Sequence, residues 1–359
     1  MGWGASKRSC LWLIVLFVLL AGPVAPALAE DSDPEPGNDR KSVSLSLRVS
    51  GHRIYELCSG TYEVIAGRTF SVTAVTSDVP AGDVTFKLQQ AEAGDVWTTV
   101  STFLRPLTDG RASLSVRALT SGRWRVVATT EETHEFRAGE ATALFRYVAP
   151  RWKRLAGGGL LLTVPYYKQR YRLSCEAAAL RSAHNYHDPS SIDSDGQALR
   201  VIGVDRRARS GGRWGNPNTH FVGDPNGIMM RSGYGVHASP IARAATKYDS
   251  CRPAVKLYRP SRQMIARYLN NGDPVIVWGA HAGRNGIVRR SWRAWDGSPV
   301  RAIEIEHTWT VIGYRGSITN PTAFIIHNPS ASGRARQTVT NSQFYAFTRY
   351  FRTAVVVRG

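Results

Sequence analysis

The chain has 359 residues, 43% of them apolar, and carries 46 Lys and Arg against 27 Asp and Glu, a formal net charge of +19. That length and apolar content allow about two domains of ordinary size. After residue 30 there is no apolar run of the ~20 residues that a membrane-spanning helix needs.

Lys7 and Arg8 precede an almost unbroken apolar run from Leu11 to Leu20, and Ala27-Leu28-Ala29 supplies a small-x-small cleavage pattern. The expectation is a cleaved secretory signal over residues 1–29, with an uncleaved signal anchor as the alternative, and a mature protein outside the membrane. Residues 30–42, EDSDPEPGNDRKS, are acidic and proline-bearing and read as a flexible leader. Signal removal leaves Cys58, Cys175 and Cys251. An odd count in an oxidising compartment leaves at least one thiol unpaired within the monomer. A Cys58–Cys251 pair would make Cys175 the free one, and three free thiols fit the sequence equally.

Residues 43–148 alternate with period two. Val43–Val49, Phe70–Ala74, Val84/Phe86/Leu88, Leu114/Val116 and Trp124/Val126 each put apolar side chains on every second position. Turn signals such as Pro80-Ala81-Gly82-Asp83 and Thr108-Asp109-Gly110 separate them, which predicts an all-β sandwich. The stretch GDVWTTVSTFLRPLTDGRASLSVRALTSGRWRVVATTEE resembles the immunoglobulin-like modules of bacterial secreted proteins.

Residues 149–159, APRWKRLAGGG, read as a linker. Beyond it, over residues 160–359, helical patterns come first (Glu176–Tyr186, Ala238–Lys247, Ser261–Asn271). Strand-like runs follow at Val275–Trp278, Glu306–Tyr314, Ala323–His327 and Thr353–Val357. That order predicts an α+β domain. The charge sits here: residues 43–148 carry 11 basic and 11 acidic side chains, whereas residues 151–359 carry 31 and 11, a net of +20. A solvated basic surface explains this, as does attraction to anionic envelope polymers, lipid headgroups or an acidic substrate. The scattered arginines, with no recognition motif, do not point to specific nucleic-acid binding.

The segment VPYYKQRYRLSCEAAALRSAHNY places Cys175 at a predicted helix start, where the helix dipole favours a thiolate nucleophile. Gln169, on the preceding loop, is a candidate side-chain donor to an oxyanion. In EIEHTWTVIGYRGSITNPTAFIIHNP, a hairpin centred near Ser317-Ile318 would bring His307 and Asn328 onto one face. A carboxamide beside an imidazole fixes the tautomer that a general base needs. His307 lies 132 residues and Asn328 153 residues after Cys175, the order and scale of the papain arrangement. Glu306 alternates to the face opposite His307. His184 and His187 read as exposed helix histidines rather than a metal pair, Asp224 as a turn residue, and Trp214, Trp278 and Trp309 as core.

Five segments, LLTVPYYKQRYRLSCEAAAL, RWGNPNTHFVGDPNG, GYGVHASPIA, PVIVWG and EHTWTVIGY, resemble in order the double-glycine-leader peptidase-like cysteine peptidases, in their stand-alone secreted branch. The resemblance covers roughly residues 160–350. It implies a papain-like α+β peptidase domain, with Cys175 as nucleophile, His307 as base, Gln169 at the oxyanion hole and a peptide or protein as substrate. It implies neither a metal nor a cofactor. The chain departs from the family where His327-Asn328-Pro329 puts Asn328 in place of the usual Asp, and where Thr308 replaces an Ala. Two other functions fit the same residues: a peptidoglycan stem-peptide amidase or transpeptidase, and a non-catalytic envelope-binding protein.

Overall fold

A computed structural model describes residues 40–358, apart from 52–53, 57–58, 66–67, 80, 93–95, 118–121, 149–150, 281–285 and 331–334. The expected signal peptide, most of the leader and Cys58 lie outside the described residues. No helix among those residues is long and apolar enough to cross a membrane.

The N-terminal part holds β1 (Ser46–Ser50), β2 (Ile54–Glu56), β3 (Thr61–Ile65), β4 (Thr69–Val75), β5 (Ala81–Ala91), β6 (Trp97–Thr108), β7 (Arg111–Arg117), β8 (Gly122–Thr130) and β9 (Glu140–Val148). These join in the order β1-β4-β7-β6-β5-β8-β9-β3-β2. All neighbours are antiparallel except β3 and β9. β6 and β7 pair only through Thr108 and Arg111, next to the Asp109-Gly110 turn. Gly110 is obligatory there, with φ of +69° and the space for a Cβ filled by the Thr76 carbonyl. The sheet folds over at this narrow link. Val72, Leu114, Phe86, Val126 and Phe145, each no more than 1% exposed, meet in one core. The alternation read from the sequence is thus real, but it builds one continuous nine-stranded sheet rather than the two separate sheets of an immunoglobulin-like sandwich.

The C-terminal part begins with β10 (Trp152–Arg154), inside the stretch expected to be linker, and β11 (Gly159–Leu162), which starts at the last residue of that stretch. Next come α1 (Cys175–His187), α2 (Asp195–Ile202), β12 (Val204–Asp205), β13 (Arg213–Trp214), β14 (Phe221–Val222) and α3 (Ala238–Tyr248). They are followed by β15 (Val255–Tyr258), α4 (Arg262–Asn271), β16 (Val275–Ala280), β17 (Arg289–Ala294), β18 (Pro299–Ile303) and β19 (Glu306–Gly316). The chain closes with β20 (Pro321–His327), β21 (Arg336–Thr340), α5 (Asn341–Thr348) and β22 (Thr353–Val356). The main sheet has the order β10-β11-β19-β16-β22-β15, with β20 and β21 branching from β19.

This sheet is covered on both faces. Val275 and Val277 of β16 pack with Ile265, Leu269, Phe344 and Phe347 of α4 and α5. Ile276 and Trp278 of the same strand pack with Leu180, Leu199 and Ile241 of α1, α2 and α3. Two-sided burial explains why β16 is apolar at every position. Within β19, Ile312 is an extra residue: Val311 pairs with Ile326 and Gly313 with Ile325.

The α+β papain-like expectation is overturned by this architecture. Strand accounts for 46% and helix for 17% of the structure, and the sheet curls into a half barrel. Helices of 8 to 13 residues only cover it. The miss has a physical origin. The strands β10, β13, β17, β18 and β21 lie in stretches whose alternation is short or one-sided, so they do not stand out beside the helical periods and the four longer apolar runs.

Candidate functional site

The loop before α1 is locked from several sides. Ser174 sits at the N-cap position, yet its hydroxyl donates to Asp195 Oδ2 (2.7 Å) and caps none of the helix N–H groups. The Arg170 N–H donates to the same Oδ2 (2.7 Å). The two N–H bonds of the Gln169 amide go to the carbonyls of Tyr171 (2.9 Å) and Arg172 (2.8 Å). Gln169 therefore braces the loop in this structure, and its amide must exchange a partner to meet an oxyanion. At the far end of α1, Arg151 donates to the carbonyls of Tyr186 and His187, matching a cation to the negative helix terminus.

Cys175 is the first residue of α1 and is 4% exposed. Its thiol donates to Glu176 Oε2 (3.2 Å), and Glu176 Oε1 accepts the Val236 N–H (2.6 Å). Glu306 completes the cluster: Sγ and a carboxylate oxygen from each Glu lie within 4.8 Å of one another. Gly235 makes the room, since a Cβ there would stand 2.5 Å from Glu176 Oε1 and 2.9 Å from Glu306 Oε2, at φ of +138°.

Burial pushes the Cys175 thiol well above its ordinary value, Glu176 and Glu306 add to this, and the Thr308 hydroxyl opposes it. Burial also raises Glu176 to about 7, although the Val236 N–H favours its charged form. Glu306 is pushed well above the carboxylate range by burial first and Glu176 second. Among the described residues, no donor outside this cluster faces either Glu306 oxygen. Protonated, Glu306 satisfies itself by hydrogen-bonding the Glu176 carboxyl, so the pair shares a proton. One thiol and two carboxyls are a donor set that a divalent ion such as zinc accepts, and they form the cluster with metal-ligand spacing among the described residues.

His307 and Asn328 meet as the hairpin reading expects. His307 Nε2 and Asn328 Oδ1 are 2.7 Å apart, and the Ser330 N–H donates to the same oxygen (3.1 Å). Two donors on that atom identify it as the carbonyl oxygen, so Nε2 carries the proton and Nδ1 is the basic nitrogen. The turn is held by Tyr166 Oη donating to the Asn328 carbonyl (3.2 Å) and the Gln169 N–H donating to that of Pro329 (2.9 Å). The Cys175 loop and the Asn328 turn are thereby fastened together. The β19–β20 register puts Thr310 opposite His327, so Asn328 lies diagonal to His307 rather than directly across.

β19 separates the two halves of the site. Thr310 Oγ1 donates to the Ala179 carbonyl of α1 (3.4 Å), and Glu306 and Thr308 face the same way, toward the thiol. Trp309 stacks on Phe347 of α5 at 3.6 Å, and the His307 ring stands edge-on to that same Phe347. The resting thiol and the imidazole thus address adjacent residues of one strand from opposite faces. A cavity of about 380 Å³ opens on the His307 side, lined by Ala280, Ile287, Trp309, Gln337 and Phe347 among others.

His184 and His187 are not exposed: His184 Nδ1 meets Ser191 Oγ (2.7 Å), and His187 Nε2 donates to the Val357 carbonyl (3.0 Å). Burial lowers His187 to about 3. Asp224 is a turn residue whose Oδ1 accepts the Asn226 N–H (3.0 Å). Trp214 and Trp278 are core, and Trp278 donates to the Val236 carbonyl (2.9 Å). Cys251 is disulfide-bonded and Cys175 is free. The buried Glu176–Glu306 pair was missed by sequence reasoning. Glu306 alternating away from His307, together with a Glu directly after the cysteine, was the available signal.

No protein-family description matches the chain, and no curated protein matches it. A solved structure of a family 76 glycoside hydrolase from a bovine Bacteroides thetaiotaomicron strain is similar over 45% of this chain, at 9% identity and a TM-score of 0.19. The match spans 38% of that enzyme's chain, and a likeness at this level carries no argument about fold or function.

Proposed function

We propose that this protein is a cysteine-dependent hydrolase of peptide bonds, acting outside the membrane, with Cys175 as nucleophile, His307 as base and Asn328 as its orienter. The observation that carries the reading is the His307–Asn328 hydrogen bond at 2.7 Å, with the carboxamide fixed by Ser330 and Nδ1 left as the basic nitrogen. In the reaction, Nδ1 takes the thiol proton as Sγ attacks the carbonyl carbon. The imidazolium then protonates the leaving amine, and water hydrolyses the thioester. The first N–H groups of α1, which the Ser174 side chain does not cap, are donors toward the oxyanion.

The thiol rests among the carboxyls on the face of β19 opposite His307, so pairing it with the imidazole requires the start of α1 and the start of β19 to shift relative to one another, beyond a χ1 rotation. The net +20 of residues 151–359 supports attraction to anionic envelope polymers, which makes peptidoglycan stem peptides a substrate to test beside ordinary peptides. A second, non-catalytic reading as an envelope-binding protein is favoured by one observation, the thiol held protonated by burial and carboxyl neighbours.

The deciding experiment treats the full chain with an electrophilic peptide probe and with purified peptidoglycan. Labelling of Cys175, and peptide release lost in Cys175→Ala and in His307→Ala, supports hydrolysis. Release undiminished in Cys175→Ala, or labelling unaffected in His307→Ala, refutes it and leaves the binding reading.

A further inference from the structure

A second concave site lies away from the thiol. A cavity of about 570 Å³ is lined by His237–Ser239, Lys256, Arg289, Arg290, Arg301 and Tyr350, with Asn218 and Phe351 among the remainder. None of its described lining residues is acidic. Arg290 is paired with Glu304 (2.8 Å), whereas Lys256, Arg289 and Arg301 bring three further cations to the rim. Lys256 Nζ is held in place by donating to Ser239 Oγ (2.7 Å), at the first turn of α3. Arg289 lies against the Tyr350 ring, 6.0 Å from its centroid.

The helix end reinforces the cations. His237 occupies the N-cap position of α3 without a side-chain bond to the helix, and the first turn carries no acidic residue. Its ring is engaged elsewhere, by Asn218 Oδ1 at Nδ1 (2.9 Å) and Tyr234 Oη at Nε2 (3.4 Å). Burial and Lys256 keep His237 neutral, with a pKa of about 4. Ala238 and Ser239, the first two residues of α3 (Pro240 after them has no N–H), line this cavity, so the positive end of the helix adds to a place that already concentrates positive charge.

We infer that this cavity is a binding site for a phosphate group carried on a larger organic body. A tetrahedral phosphate offers oxygens to guanidinium forks, an ammonium and helix N–H groups at once, which a lone carboxylate matches less fully. The cavity is too large for the phosphate alone, and Tyr350 and Phe351 give its carrier an apolar wall. The inference deepens the anion-binding part of the reading above and is independent of the chemistry at Cys175.

The test is isothermal titration of the full chain with inorganic phosphate, glycerol 3-phosphate, poly(glycerol phosphate) and, as a phosphate-free polyanion, polyglutamate. Arg301→Gln and Lys256→Gln, both at exposed positions, are expected to weaken the phosphate-bearing probes about tenfold each, the effect of one charge-assisted hydrogen bond. Arg267→Gln and Arg315→Gln, exposed cations outside the cavity, are expected to change binding less than about twofold. Tighter binding of the polymer than of glycerol 3-phosphate assigns the site to a polymer, and the reverse assigns it to a small phosphate ester; either supports the site. Equal weakening in all four variants, polyglutamate binding as tightly as poly(glycerol phosphate), or no binding of any phosphate probe overturns it. The Cys175→Ala protein is titrated in parallel. Phosphate binding that persists there, even if no hydrolysis is ever found, keeps the two proposals separable.

Discussion

Replacing Glu176 by Gln tests whether the neighbouring carboxyl holds Cys175 in its neutral form. Sγ and Oε2 are 3.2 Å apart. Two unit negative charges at that distance repel by about 1.3 kcal/mol at the dielectric of water and about 5 kcal/mol at an effective value of ~20. One pH unit corresponds to about 1.4 kcal/mol, so the thiol pKa should fall by at least about one and at most roughly four. Glu176, raised to about 7, is ionised throughout the range in which so elevated a thiol titrates, so the charge is there to be removed. Gln retains an oxygen for the Val236 N–H, which preserves the contact between α1 and the Gly235-Val236 segment. The assay is the rate of iodoacetamide labelling, read by mass spectrometry on the peptide containing Cys175, from about pH 6 to about pH 11. The midpoint should move down in Glu176→Gln. An unmoved or higher midpoint in a protein with wild-type circular dichroism refutes the electrostatic account.

Three further outcomes are expected. Gly235→Ala forces a Cβ against both carboxyls at φ of +138°, and should lower stability by about 2 kcal/mol or more in urea unfolding; a change within experimental error would disprove the packing argument. Asn328→Asp places a carboxylate 2.7 Å from His307 Nε2 and should raise the imidazole pKa by about one unit or more, followed by NMR of the ring, and an unchanged titration would reject the pairing. The buried carboxyls should make stability fall as pH rises from about 4.5, where the unfolded groups release their protons, through about 7, where folded Glu176 releases its own, and the raised Glu306 acts in the same direction. Below 6.5 the sign reverses for His187, His237 and His327, whose folded values of about 3, 4 and 4 mean that the unfolded state binds more protons and acid destabilises. Chemical denaturation across pH checks both limbs, and Glu306→Gln should flatten the upper one by up to about 1.4 kcal/mol per pH unit.

Much of the local structure was legible. The period-two runs from Phe70 to Val126 lie in observed strands, and the helices at Cys175, Ala238 and Arg262 begin within a residue of their expected starts. The hairpin carrying His307 and Asn328 was readable because strand polarity, turn and return are contiguous in the chain. Two helices were missed despite their capping residues: Thr340 and Gln343 form the full reciprocal box, whereas Ser194 accepts the Gln197 N–H but the Gln197 side chain turns to the Asp193 N–H instead. The fold class was not legible. It depends on which strands share a sheet, and β11 pairs with β19 across more than a hundred residues of intervening chain while β16 takes the other side of β19. The carboxyl pair was hidden for the same reason. Glu176 and Glu306 are ordinary surface types until α1 is laid on β19, and only then does desolvation decide their charge.

The extra residue at Ile312 sets the phase of everything before it in β19. Alternation upstream of the bulge decides that Glu306 and Thr308 turn to the thiol while His307 turns to Phe347. Deleting one residue there would exchange the two chambers' contents, sending an imidazole among the buried carboxyls and a carboxyl toward the aromatic wall. The connection at residues 317–320 has no such grip on parity, since length added to a surface turn is absorbed outside the ladder. Insertions and deletions should therefore be tolerated at the tip of this hairpin and purged at its middle, a frame that any library or recombination through this segment must respect.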